Sequence, residues 1–84
     1  MPPDDFTYVY ILQSLQEPTR HYTGCTSDLE RRLIKHNKGD VFHTAKYRPW
    51  KIETAIRFSS EEKARAFEKY LKSGSGREFA RRHL

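Results

Sequence analysis

Phe6-Thr7-Tyr8-Val9-Tyr10-Ile11-Leu12-Gln13 is dense in aromatic and β-branched residues. Such residues fit a pleated surface, and apolar groups at both odd and even positions mark a central strand buried on both faces. The next segment, Ser14-Leu15-Gln16-Glu17-Pro18-Thr19-Arg20, is a polar turn around Pro18. His21-Tyr22-Thr23-Gly24 then returns as a second strand, most simply in an antiparallel hairpin.

The remaining segments follow from capping and periodicity. Ser27-Asp28-Leu29-Glu30 has the spacing of a capping box, with the Ser27 hydroxyl accepting from the Glu30 N–H. It predicts a helix over about 28–38, ended by Gly39 as a left-handed stop, with Leu29 and Leu33 one turn apart on its inner face. Residues 40–50 form a mixed loop. Pro49 precedes a third strand at about 51–58, where Ile52, Thr54, Ile56 and Phe58 alternate with Lys51, Glu53, Ala55 and Arg57. Ser59-Ser60-Glu61-Glu62 opens a second helix, to about 72, again with a Ser-x-x-Glu cap and an apolar stripe of Ala64, Phe67 and Leu71. Ser73-Gly74 breaks it, and Ser75-Gly76-Arg77-Glu78 starts a short last helix anchored by Phe79. The order β-β-α-β-α-α is that of a small α+β domain with a three-stranded sheet.

The chain has 84 residues, enough for one domain with a small core. Only 36% of residues are apolar, so the five Phe, five Tyr and one Trp must supply much of that core. Modest stability follows, for a monomer or a weak homodimer. The net charge is +5 and unevenly spread. Residues 1–19 carry three acids and no base, whereas residues 65–84 carry six bases and two acids. A basic body suits a polyanion such as nucleic acid, and equally a soluble Lys/Arg-rich surface. A single cysteine forms no internal disulfide and suits a reducing cytoplasm. Met1-Pro2-Pro3-Asp4-Asp5 is acidic, has no signal-peptide core and reads as a disordered tail before one domain spanning 6–84. No apolar run approaches the length of a membrane span.

Several residues could carry chemistry. Arg32 and His36 lie four apart and share a helix face. A guanidinium donates two parallel hydrogen bonds to a phosphate, and an imidazole can donate to phosphate or shuttle a proton. The plain alternative is a solvated flank, with Arg32 paired to Asp28. Glu68 falls on or beside the buried stripe of the second helix, where a carboxylate is costly unless paired or metal-bound. Lys72, four residues on, is the obvious ion-pair partner. Tyr8 and Tyr10 share a strand face, and Tyr22 comes from the neighbouring strand. They serve as packing, or as functional phenols if their hydroxyls converge with Arg32 and Glu68. Cys25 is a small, partly buried side chain with no partner cysteine. His21, Cys25, His36 and His43 match no closed zinc spacing. Residues 73–77 form an inter-helix turn or, with Arg77, a phosphate contact. His43, Lys46, Tyr47, Arg48 and Trp50 interleave bases with rings, which fits a nucleic-acid contact loop or aromatic cover for the sheet edge.

Taken together, these residues resemble the GIY-YIG endonuclease family. Tyr8-Val9-Tyr10 is similar to its first signature segment and Tyr22-Thr23-Gly24 to its second. Asp28-Leu29-Glu30-Arg31-Arg32-Leu33 is similar to its arginine-bearing helix, and Phe67-Glu68 to the segment with its metal-binding glutamate. Tyr8 stands where the signature has glycine, Thr23 where it has isoleucine, and Cys25 where the repair enzymes have lysine. The resemblance extends from about Tyr8 to Leu71 and is nearest to small stand-alone bacterial members, similar to the nuclease domain of the excision-repair subunit that makes the 3′ incision. It implies an antiparallel sheet flanked by helices and one divalent cation, usually Mg²⁺. It also implies catalytic roles: Tyr22 as the base that activates water, Tyr10 as an orienting phenol, Arg32 on the phosphate and Glu68 on the metal. His36 falls where some members carry a tyrosine and others a histidine. A free phenol loses its proton at a pH of about 10, so a tyrosine base needs cations close by. Lys35, Lys46, Arg48, Lys72 and Arg77 would hold the substrate, DNA, with branched or damaged DNA and repair as its setting. The rival readings are a non-catalytic nucleic-acid-binding module on the same fold and a protein-interaction domain whose charge only confers solubility.

Overall fold

The aromatic run forms the middle of the sheet. A computed structural model describes residues 6–84, so the expected tail at 1–5 lies outside the described residues. The first strand, β1 (Thr7–Ser14), is flanked by β2 (His21–Thr26) and β3 (Trp50–Phe58) in the order β2-β1-β3, both pairings antiparallel. Val9, Tyr10, Ile11 and Leu12 are all buried, because β1 is covered on both faces. Helices α1 (Leu29–Lys38), α2 (Glu61–Leu71) and α3 (Gly74–His83) complete an α+β fold in the expected order, with a short 3₁₀ turn at Ala45–Tyr47. Among the described residues no helix is long and apolar enough to cross a membrane.

The two faces of β1 feed two cores. On one side Val9 and Ile11 pack with Ala64 and Leu71 of α2, with Phe67, Phe79 and Ala80 around them. On the other, Tyr10, Leu12 and Trp50 pack with Tyr22, Leu29, Leu33, Tyr47 and Ile52. Full burial of one such aliphatic side chain contributes about 1.5–3 kcal/mol.

The structure corrects several details. Ile52 does not share a face with Thr54, Ile56 and Phe58. Ile11 pairs with Thr54 but Leu12 with Ile52, so Glu53 is an extra residue on β3. That bulge turns Ile52 toward α1, while Phe58 packs on the α2 side. The cap of α1 is Asp28, whose carboxylate accepts from Arg31 N–H at 3.1 Å, not Ser27. Aspartate caps as well as serine, and Thr26 Oγ1 accepts the Asp28 N–H at 3.1 Å to hold the approach. Ser60 caps α2 by accepting from Lys63 N–H, so the Ser59–Glu62 box does not form. The turn expected at 73–77 is instead the first turn of α3, capped by Ser73, which accepts from Gly76 N–H. The expected stop does close α1: Gly39 has φ +83°.

Candidate active site

Tyr10 and Tyr22 reach the same place from neighbouring strands. Tyr10 pairs with Gly24 and Leu12 with Tyr22, so both phenols rise on the α1 face of the hairpin. Their ring centroids are 6.4 Å apart. His36, two turns into α1, completes the group, 5.9 Å from the Tyr10 ring and 5.1 Å from that of Tyr22. The solvated flank considered for His36 is ruled out, because its side chain is fully buried.

A hydrogen-bonded chain fixes the state of this imidazole. Thr44 Oγ1 donates to the Val41 carbonyl at 3.3 Å, so it accepts from His36 Nδ1–H at 2.7 Å. Nε2 is then the acceptor of a hydrogen bond from the Tyr10 hydroxyl at 3.0 Å. The loop bearing Thr44 is itself tied down. Trp50 Nε1–H donates to the Thr44 carbonyl at 2.8 Å, and Asn37 of α1 exchanges two bonds with the Trp50 backbone. Trp50 is therefore a core residue, with the partly buried Tyr47 packed against its cluster.

Electrostatics follows from this burial. The His36 imidazole is held below its ordinary value, first by burial and then by the nearby Arg32 guanidinium. The Tyr10 phenol is pushed far up, chiefly by burial and next by Tyr22; Arg32 opposes this and Glu68 adds to it. Tyr10 thus stays protonated as a donor to His36. His36 also sets a pH dependence of stability. The unfolded chain binds a proton at the ordinary value of 6.5, before the folded one does. Its contribution is complete above that pH and is lost as pH falls toward the folded value, by at most about 1.4 kcal/mol per pH unit. The melting temperature is expected to fall on acidification below pH 6.5, with a shallower fall in His36→Gln.

Arg32 and Glu68 approach from the two helical layers. Arg32 is half-buried on α1 and lines a small cleft of about 250 Å³ with Arg31 and Lys35 at the end of β2. Asp28, considered as its ion-pair partner, is occupied in capping. Glu68 is half-buried on α2 and lies within electrostatic reach of both Tyr10 and Cys25. The expected pair with Lys72 is present at 3.2 Å. Lys72 in turn lies over the Tyr22 ring, 5.9 Å from its centroid, which links the carboxylate to the phenol. Of the cations expected to hold substrate, Lys35 sits beside Arg32, while Lys72 and Arg77 line a larger cavity next to Tyr22. Lys46 and Arg48 lie apart from this group. Lys46 stands over the Tyr47 ring, and Arg48 lies against Gly39 at the end of α1. Sequence reasoning missed Thr44, since nothing local marks it as the partner of His36, and it missed Arg31. It also passed over Phe42, whose 90% exposure makes it the prominent ring of the 40–50 loop.

This arrangement offers a fixed phenol–imidazole pair, a second phenol at the rim, a guanidinium and a carboxylate. A family model of the GIY-YIG catalytic domain matches residues 6–81. The chain belongs to the GIY-YIG family. Its relatives are of two kinds. The structure-specific endonuclease subunit SLX1 of Debaryomyces hansenii is 36% identical over 74 residues, 80% of this chain and 21% of the yeast protein. SLX1 of Candida dubliniensis is 40% identical over 73 residues, 79% of this chain and 26% of that protein. The chain thus spans about a quarter or less of the fungal relatives it matches. The solution structure of a UPF0213 protein of Bacillus halodurans is 32% identical, with a TM-score of 0.54, covering 90% of this chain and 80% of that one. Tyr8-Val9-Tyr10 and Tyr22-Thr23-Gly24, the segments that resemble the two parts of the GIY-YIG signature, are set side by side on β1 and β2.

Proposed function

We propose that this GIY-YIG chain is a divalent-metal-dependent endonuclease that hydrolyses DNA phosphodiester bonds with little sequence preference, acting on branched or damaged DNA. The observation that carries the reading is the meeting of Tyr10, Tyr22 and His36 on the α1 face of the sheet, with Arg32 on α1 and Glu68 of α2 joined to the Tyr22 ring through Lys72. Membership of a family whose matching model is a catalytic domain, and relatives named structure-specific endonucleases, support it.

A metal must fit the residues present. Among the described residues no cluster of three His, Cys, Asp or Glu side chains forms a cage. One half-buried carboxylate does fit a Mg²⁺ ion, which keeps several waters and takes its other ligands from substrate phosphate. Glu68 would hold it, and the ion would polarise the scissile phosphate and stabilise the departing oxygen. Arg32 donates to the non-bridging phosphate oxygens and stabilises the charge that grows there. Tyr22, at the rim with Lys72 over its ring, is the base that takes the proton of the attacking water. Water oxygen bonds to phosphorus as the bond to the leaving oxygen breaks. Tyr10, whose hydroxyl donates to His36, keeps an oxygen that can accept from the attacking water and orient it, and it does not act as the base.

Affinity for DNA rests on the basic surface and falls steeply with added salt. Arg32→Ala separates this reading from a purely structural one. The variant is expected to lose about a hundredfold or more in nicking rate, because a charge-stabilising donor is removed. Its melting temperature should drop by no more than a few degrees, since Arg32 makes no ion pair among the described residues. Equal proportional losses in activity and stability would make Arg32 a structural residue.

A further inference from the structure

Beyond Tyr22, away from Arg32, a cavity of about 590 Å³ opens between the sheet and α3. Its volume lies within the range of roughly 300–1,000 Å³ typical of sites that enclose a small organic ligand. The inner wall is apolar: Ile11 and Leu71 are almost fully buried, and Ala80 of α3 lies beside them. The rim carries Lys72, Arg77 and Arg81. Arg81 is held by Glu78 through two hydrogen bonds, and Lys72 pairs with Glu68. Arg77 forms no ion pair among the described residues and is the cation left for a ligand. At the far end His21 of β2 pairs with Glu53 of the β3 bulge at 3.3 Å, presenting one acceptor and one donor-capable group.

Apolar walls, a cationic rim and a hydrogen-bonding pair together match one ligand chemistry: a flat heterocycle joined to a phosphate. Tyr22 and Lys72 border both the cavity and the candidate hydrolytic centre, so a strand bound at that centre can reach into the cavity. A paired base cannot enter, because its edge and both faces are engaged in the duplex. We infer that this cavity takes one unpaired nucleotide of the strand being cut, its base against Ile11, Leu71 and Ala80 and its phosphate on Arg77. This inference rests on the nuclease reading and deepens it by naming the feature of DNA that is recognised: a nucleotide outside the helix. Such a nucleotide has less unstacking and unpairing cost to meet, which favours junctions, bulges and flaps over intact duplex.

Binding in EDTA tests this without cleavage, so it is separable from failure of the hydrolytic reading. The probe is a short duplex with one bulged 2-aminopurine, compared with the same duplex fully paired. Wild-type protein should bind the bulged probe about tenfold more tightly, with a change in 2-aminopurine fluorescence. Thr19 is exposed and lines the mouth, so Thr19→Trp should fold normally and fill it. This variant should lose the preference for the bulge while keeping wild-type affinity for paired duplex. Arg77→Ala should weaken bulge binding more than duplex binding. Free deoxynucleotide monophosphate should not displace the bulged strand at equal concentration. Equal wild-type affinity for both probes, retention of the preference in Thr19→Trp, or displacement by the free nucleotide would each overturn the assignment.

Discussion

Glu68→Gln should reduce metal-dependent nicking by about a thousandfold, close to 4 kcal/mol of transition-state stabilisation. The substitution keeps the size of the side chain and its hydrogen bond to Lys72 but removes the charge that holds a cation. Its structural cost is small. The Glu68–Lys72 pair is partly solvated, with Lys72 half exposed, and pairs of that kind contribute about 0–1 kcal/mol. A shift of a few degrees in melting temperature is the most this supports. The loss in rate should therefore exceed the loss in stability by several kcal/mol. Metal titration should give the matching result: wild-type nicking is expected to saturate with Mg²⁺ and the variant to stay flat at any concentration that leaves DNA intact. A variant with wild-type rate would reduce Glu68 to the ion-pair role.

Gly24→Ala should damage both the fold and the site. A Cβ at Gly24 would stand 2.3 Å from Tyr10 Oη and 2.5 Å from Tyr10 Cζ. Both distances are far below van der Waals contact, so something must move. Gly24 has no positive φ, so the requirement is for space and not for a special backbone. The Tyr10 ring has nowhere to go. It is 2% exposed, packed against Leu12 and Trp50 and anchored through its hydroxyl to His36. Overpacking of this kind costs about 1–3 kcal/mol. For a domain of this size each kcal/mol lowers the melting temperature by roughly 4–8 °C. Nicking should fall further than stability explains, because a displaced Tyr10 breaks the phenol–imidazole pair. Thermal melting with a single-turnover cleavage assay at a temperature where the variant is folded separates the two effects. A melting temperature within one degree of wild type would show that the strands part easily and that the Tyr10–Gly24 contact is not tight.

The sequence made the strands legible because their chemistry is local. The run from Tyr8 to Leu12 is apolar at both odd and even positions, and that pattern fits only a strand covered on two faces. The hairpin that sets Tyr10 opposite Gly24 and brings Tyr22 alongside followed from one polar turn. Helix ends were legible to within one or two residues. Ser27 and Asp28 are equally good caps, and only the path of the chain chooses between them. The bulge at Glu53 was hidden, since the alternation of Ile52, Thr54 and Ile56 reads as unbroken and only pairing with β1 shows the extra residue. The burial of His36 was hidden for a different reason. Its neighbours Lys35 and Asn37 are polar and exposed, and its partner Thr44 comes from an irregular loop whose course depends on Trp50 and Asn37. The cavity beside α3 was illegible because α3 begins at Gly74, inside what read as a turn.

The reading depends on whether the rim phenol takes part in chemistry. The direct measurement is single-turnover cleavage of a branched DNA by wild-type protein and Tyr22→Phe, each with Mg²⁺ and with EDTA. Tyr22→Phe removes one oxygen from a half-buried ring and leaves its packing with His36 in place. The expected result is cleavage by the wild type only with Mg²⁺, and a loss of at least about a hundredfold in Tyr22→Phe at an unchanged melting temperature. Undiminished cleavage by Tyr22→Phe, or wild-type cleavage that survives EDTA, would contradict it.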